Sequence, residues 1–305
     1  MTTTAITTYT DMTPVIALVT DGLTSDHSRR AYRRALETFG EWYNAAGRPG
    51  LTKATINSYR AYLVDRGLSS SSVNQALSAV RKLAAEAADN GLMDSAAAEA
   101  IGRVKGVKQA GRRAGNWLTK AEAQALLDTP DTGTMRGLRD RAILAVMVGG
   151  GLRRSEVAGL TFDRLQQRDG RWVIVDLVGK GGRVRSVPIP SWAKAAVDEW
   201  ATAAGLHDGR IFRSINRGGR LDGDGMTPQA VYNVVATYAT RTGLGVAAHD
   251  LRRTFAKLAH KGGAALEQIQ LTLGHSSIQT TERYLGVDQD LSSAPCDVLG
   301  LSLGR

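Results

Sequence analysis

Apolar residues recur at steps of three and four over most of the chain, the spacing of helices that bury one face. Early in the sequence the pattern runs through Tyr32, Leu36, Phe39 and Tyr43, behind Ser25 or Ser28 as N-cap. Ile56, Tyr59 and Leu63 mark a second helix that ends near Gly67. Val73, Leu77, Val80 and Leu83 mark a third, entered from the Ser69–Ser72 run and stopped at Asn90-Gly91. A weaker, Ala-rich helix covers about 94–101. Residues 1–24 are Thr-rich and without clear period, and read as an extended arm. No strand pattern interrupts this stretch, so residues 25–102 are expected to form an all-helical domain.

A second domain is expected over 117–285. Thr119-Lys120-Ala121-Glu122 is a capping box, in which a hydroxyl and a carboxylate satisfy the free N–H groups of a helix start. Helices follow at about 119–128, 138–149 and 154–160. The period then changes to two. Arg171–Leu177 and Arg183–Ile189 alternate around a Gly-rich turn at 178–182, the pattern of a β-hairpin. Helices resume at about 191–204, 228–241, 250–260, 265–273 and 277–284. The expected fold class is therefore mainly α with a small β-sheet: a helical N-terminal domain, a linker over 103–116, a mixed α/β domain, and a tail over 286–305.

The length of 305 residues fits two domains at about 150 residues each. Lys and Arg number 39 against 29 Asp and Glu, a formal net charge of +10, which makes a polyanion such as nucleic acid a reasonable partner. The excess is evenly split, +5 in residues 1–113 and +5 in the remainder. Within the linker, however, Arg103, Lys105, Lys108, Arg112 and Arg113 occur with no acid. That run reads either as a solvated flexible segment or as a strip of phosphate contacts. The one cysteine, Cys296, leaves no partner for a disulfide and no Cys-based metal cluster. The first basic residue is Arg29, so a cationic targeting start is not expected. The longest apolar charge-free run, Ala142–Leu152, is short of the roughly 20 residues that span a bilayer. A protein of the bacterial cytoplasm or nucleoid, with no membrane partner, is the expectation.

Candidate chemistry starts from the scarce residue types. The histidines are His27, His207, His249, His260 and His275. His249 and Arg252 lie three apart at a helix start and share a face. His275 follows Leu273-Gly274, and Tyr284 lies nine residues beyond it. Taken singly, each is explained as a cap or a packed core residue. Arg153 after Gly149–Gly151 and Lys180 between Gly179 and Gly181 are likewise explained as solvated cations in turns. Neither Gly-rich segment has the spacing of a nucleotide-binding loop, and no HExxH or Cys/His cluster points to a metal.

As an ordered set, Arg153, Lys180, His249, Arg252, His275 and Tyr284 resemble the active-site series of the tyrosine recombinase (phage integrase) family. The segments that carry the resemblance are GLRRSE (151–156), GKGGRVRSVPI (179–189), HDLRRTFA (249–256) and LGHSSIQTTERYL (273–285), with Leu138–Ile143 and Leu160–Asp163 upstream. They run through the second domain; the first is similar to the family's core-binding, SAM-like domain with less specific sequence. The resemblance implies a site-specific DNA recombinase, in the first place an integrase of a phage or other mobile element. A chromosome-dimer resolvase, a transposon recombinase and a DNA invertase share that chemistry, and a topoisomerase-like strand passer or a non-catalytic DNA binder stays open. The family's residue roles carry over position by position. Tyr284 would be the nucleophile, giving a 3′-phosphotyrosine and a Holliday junction. Arg153 and Arg252 would clamp the phosphate oxygens. Lys180 would be general acid, His249 would assist proton transfer, His275 would donate a hydrogen bond, and Glu156 would orient Arg153. No metal, ATP or other cofactor is implied. The implied partners are double-stranded DNA core sites, gripped from both sides by the two domains, and a homotetramer on synapsed DNA; a directionality factor is compatible with it. The short stretch ahead of residue 25 leads us to expect no arm-binding domain. Val298, Leu299, Leu301 and Leu303 in the tail are expected to touch a neighbouring subunit.

Overall fold

Short polar side chains set the helix starts. After α1 (Thr13–Asp21), the side chains of Ser25, Thr52, Ser69 and Asp94 each accept a backbone N–H three residues on. They open α2 (Asp26–Ala45), α3 (Lys53–Asp65), α4 (Ser70–Asp89) and α5 (Ser95–Gly102). The computed structural model describes residues 13–108, 116–179 and 182–285. Two compact units divide the chain, Met1–Arg112 and Arg113–Arg305.

In the first unit α4 packs against α1, α2, α3 and α5. Leu36, Phe39, Ile56, Tyr59, Leu77 and Leu83 are completely buried, as their periodicity requires. Two boundaries differ from the sequence reading. Residues 13–21 are helical and not an extended arm, because Val15, Ile16 and Val19 fall on one face and bury in this core. The rest of the expected arm, 1–12, lies outside the described residues. The chain also stays on the helical unit to residue 108. Val104 is buried, and the Asn74 amide brackets Val107, accepting its N–H at 2.8 Å and donating to its carbonyl at 2.9 Å. The stretch read as linker is thus anchored backbone over 103–108.

The second unit starts at the Thr119–Glu122 capping box, which opens α6 (Lys120–Asp128) as its sequence requires. Behind Thr134, α7 (Met135–Gly150) forms the centre of the core; Ala142–Val148 are all buried. That is why the chain carries its longest apolar run there. At the start of α7 the buried Arg139 forks onto Asp140, whose other oxygen accepts the Tyr238 hydroxyl at 3.1 Å. After α8 (Arg154–Ala158) the strands β1 (Leu165–Arg168), β2 (Arg171–Val178) and β3 (Val184–Ile189) form an antiparallel sheet in that order. The expected hairpin is β2–β3. The first strand was not expected, since Leu165-Gln166-Gln167-Arg168 lacks apolar alternation. Then come α9 (Ser191–Ala204), a two-residue ladder of β4 (Ser214–Ile215) with β5 (Leu221–Asp222), α10 (Pro228–Arg241), α11 (Ala248–Lys261), α12 (Leu266–Leu273) and α13 (Ile278–Leu285). The architecture is mainly helical with small sheets, as expected. Among the described residues no helix is long and apolar enough to cross a membrane.

Two left-handed glycines end helices beside the residues of interest. Gly151 closes α7 at φ +61° and Gly274 closes α12 at φ +63°. A Cβ on Gly151 would lie 2.8 Å from Phe255 and 3.0 Å from Leu273. Gly151→Ala therefore combines a left-handed penalty with overpacking, and should destabilise the second unit by about 2–4 kcal/mol in urea unfolding.

Candidate active site

Four segments converge in the second unit. The α7–α8 turn delivers Arg153 and Glu156, α11 delivers His249, Arg252 and Arg253, the end of α12 delivers His275, and α13 delivers Tyr284. A small separate core of Ala256, Ile269, Leu273 and Leu285 packs α11, α12 and α13 together, so the residue next to Tyr284 is an anchor. In helical phase, His249, Arg252 and Arg253 stand on neighbouring positions of one turn and face a common point.

Glu156 is 7% exposed, and its carboxylate is saturated. It accepts Arg153 N at 2.9 Å and Arg153 Nη1 at 2.7 Å, and a two-pronged fork from Arg185, both contacts 2.9 Å. Burial by itself would raise its pKa; the Arg185 and Arg153 donors outweigh burial and hold the carboxyl below the usual range. Arg252 is 1% exposed and, among the described residues, has no carboxylate within ion-pair distance. Instead Nη1 donates to the Gly151 carbonyl at 2.7 Å and Nη2 to the Leu273 carbonyl. Those carbonyls are the C-terminal ends of α7 and α12, where the backbone dipoles leave partial negative charge. Burial, then the charge of Arg153, lowers Arg252 to about 10, so it remains a cation at neutral pH.

The Tyr284 hydroxyl is hydrogen-bonded to His249 Nε2. Burial, followed by Arg252 and Arg253, lowers the His249 pKa, which leaves a neutral imidazole able to accept the phenol proton. Arg253 stands 5.2 Å from the Tyr284 ring centroid and pairs with Asp250 at 3.1 Å. His275 packs edge-on to the Tyr284 ring, centroids 4.8 Å apart, and its Nδ1 meets Thr281 Oγ1 at 2.9 Å. Burial, then Arg252 and Arg153, depress His275 to about 4. Beside this cluster opens a pocket of about 330 Å³, lined in part by Arg153, Arg154, Ser155, Tyr232, His249 and Arg252. Its cationic wall suits a phosphodiester. Among the described residues no group of three or more His, Cys, Asp or Glu could hold a metal ion.

Arg153, Glu156, His249, Arg252, His275 and Tyr284 are thus brought together. Lys180, Arg112, Arg113 and the tail 286–305 lie outside the described residues. Arg103, Lys105 and Lys108 belong to the other unit. There Arg103 pairs with Glu99 at 2.9 Å, while Lys105 and Lys108 are exposed. Sequence reasoning missed Arg185. Its signal was present: in Val184–Ile189 the buried positions are Val187 and Ile189, so alternation places Arg185 on the same inward face.

Residues 116–290 match the model of the phage integrase family, and residues 16–91 match its N-terminal SAM-like domain. The chain belongs to the phage integrase family. It is 31% identical over 270 residues to the tyrosine recombinase XerD of Pseudomonas aeruginosa, covering 85% of this chain and 86% of that one. It is 33% identical over 271 residues to XerC of Pseudomonas fluorescens, with 87% and 86% covered. The XerH site-specific recombinase bound to a palindromic difH substrate shares the fold at TM-score 0.69 and 22% identity, over 85% of this chain and 76% of that one. This chain is accordingly a tyrosine recombinase.

In the DNA-free recombinase, His275 should stay neutral down to about pH 4, well below the ordinary histidine value of about 6.5. Imidazole NMR titration, with His275→Asn to assign the signal, checks this. The unfolded chain then binds more protons than the folded one between about pH 6.5 and 4, so stability should fall as pH falls through that window.

Proposed function

We propose that this protein is a site-specific DNA recombinase that cuts and rejoins DNA through a 3′-phosphotyrosine and a Holliday junction, integrating or excising a phage or other mobile element. The observation that carries the reading is the Tyr284 hydroxyl bonded to a neutral His249 beside Arg153 and Arg252. The phenol oxygen attacks the scissile phosphorus while its proton passes to His249. The bond from phosphorus to the 5′ oxygen breaks, and Lys180 supplies the proton that makes a 5′-hydroxyl. Arg153 and Arg252 hold the non-bridging oxygens, where guanidinium geometry fits a phosphate. Thr281 Oγ1 lies 2.9 Å from His275 Nδ1; with the hydroxyl donating, the imidazole presents Nε2–H to the phosphate. Glu156 orients Arg153. The phosphotyrosyl bond stores the energy of the broken ester, so a 5′-hydroxyl from the partner strand reverses the steps without a cofactor.

The partners are double-stranded core sites, bound by both units, and a homotetramer on two synapsed duplexes in the bacterial cytoplasm. The tail 286–305 joins neighbouring subunits, and a directionality factor chooses between integration and excision. Arg103, Lys105, Lys108, Arg112 and Arg113 contribute phosphate contacts. A second reading, a chromosome-dimer resolvase with the same chemistry, is consistent with the relatives named tyrosine recombinase XerC and XerD. Deleting the gene distinguishes them: chromosome dimers accumulate in the second case, and a flanking element loses excision in the first.

A nicked suicide substrate carrying the core site should trap a covalent adduct with wild-type protein. Tyr284→Phe should bind equally and form none; an adduct from that variant refutes the nucleophile. Arg153→Ala and Arg252→Ala should bind but cleave about 10²–10³-fold more slowly. Lys180→Ala should be rescued by a 5′-thiolate leaving group, which needs no proton.

A further inference from the structure

We propose that Arg185 is a positioning residue of the recombination site, fixing Glu156 beneath Arg153 and tying β3 to the helix end that presents His275. This deepens the recombinase reading and rests on it.

The observation is one side chain with every nitrogen in use. Nη1 and Nη2 fork onto the two Glu156 oxygens, and Nε donates to the Thr272 carbonyl at 2.7 Å. Thr272 lies three residues before His275, in the last turn of α12. The Arg185 side chain is only 8% exposed. Its surroundings are shaped to it. A Cβ on Gly274 would come within 2.8 Å of Arg185 Cδ, and a Cβ on Gly179 would lie 3.4 Å from Arg185 Nη1 and 3.6 Å from Arg153 Nη1. Glycines therefore stand at two places where a side chain would crowd this arginine. One guanidinium joins α8, the turn end of the β2–β3 hairpin and the end of α12.

Stability does not explain such a group well. A buried ion pair gains little over a well-packed apolar pair of similar volume, because both charges lose water. Orientation does explain it. Arg153 is one-quarter exposed, and without Arg185 its carboxylate partner would be held by Arg153 alone, through N and Nη1. The planar fork fixes both oxygens at once, which a lysine ammonium cannot do. Glu156 faces Arg153 from its own turn, Arg185 from β3 and the charge of Arg252 from α11. Remove Arg185, and burial works against the carboxylate with half its donors gone. Its pKa then rises, and the protonated, misoriented fraction grows as pH falls.

The test measures adduct formation on the nicked substrate between pH 5 and 8, beside DNA affinity and thermal melting, for wild type, Arg185→Met, Arg185→Lys and Arg185→Met/Glu156→Gln. Arg185→Met should cleave about 10–100-fold more slowly with affinity within about threefold. Its rate relative to wild type should drop further as pH falls. Adding Glu156→Gln should flatten that pH dependence, and Arg185→Lys should recover part of the rate. A relative rate within about threefold of wild type, or a deficit that is pH-independent and unrelieved by Arg185→Lys, overturns the proposal. If Arg185→Met does not fold, Arg185→Lys decides alone: slower cleavage at unchanged melting temperature supports the role, and wild-type cleavage overturns it. Failure of the wild-type protein to form any adduct would instead overturn the recombinase reading itself.

Discussion

The second unit has to gather Arg153, Arg185 and Arg252 around one site, and like charges in a partly dry site repel strongly. Glu156 answers that for two of them. Its buried carboxylate accepts four contacts, two from Arg153 and two from Arg185. Among the described residues Arg252 meets carbonyls rather than a carboxylate; the C-terminal ends of α7 and α12 supply its negative partners. Much of the local fold follows from this arrangement. Gly151 and Gly274 adopt left-handed backbone so that both helices can end there. Glu156 caps α8 through one oxygen, on Arg153 N, and holds the Arg153 guanidinium through the other, so helix start and arginine orientation share one carboxylate.

The excess of cation over anion also sets the state of the imidazoles. His249 and His275 both lose basicity, through burial first and the neighbouring arginines next. On the proposed chemistry this has a use in both directions. Before DNA binds, neutral His249 is a proton acceptor for Tyr284, and neutral His275 keeps one N–H for donation. A phosphate entering beside Arg153 and Arg252 reduces the positive potential and raises the imidazole pKa values toward neutrality, where proton exchange is easiest. The substrate's own charge would therefore tune its catalyst.

What could be read beforehand divides along physical lines. The helices of both units follow from periodicity and caps, and His249 and Arg252 keep their three-residue helical spacing on α11, while Tyr284 lies on α13 and His275 in the connection between α12 and α13. The Ala142–Leu152 run owes its apolar character to α7, which is buried nearly all round. Three features were hidden for separate reasons. α1 has a one-sided apolar face of only Val15, Ile16 and Val19, too short to stand out in a Thr-rich segment. β1 is a polar edge strand whose pairing with β2 depends on the partner rather than on its own pattern. Arg185 looked like one more cation beside a Gly-rich turn, because composition assigns Arg to solvent. Only strand phase, counted back from Val187 and Ile189, puts it inside.

The same distinction between anchored and solvated cations bears on the basic run that began as a linker. Through residue 108 its backbone is fixed: Arg60 donates to the Lys105 carbonyl at 2.8 Å, and Asn74 brackets Val107. Lys105 and Lys108 thus project from a held backbone, and ordering them on a phosphate chain loses side-chain freedom alone. That smaller entropic loss makes each contact more effective than the same charge on a free coil. Arg103 differs, since it must first give up Glu99, an exposed pair worth at most about 1 kcal/mol. The five cations of the run are therefore not equivalent. If they meet DNA, Lys105 and Lys108 bring charge that is both unpaired among the described contacts and already placed, and counterion release from the duplex would reward them first.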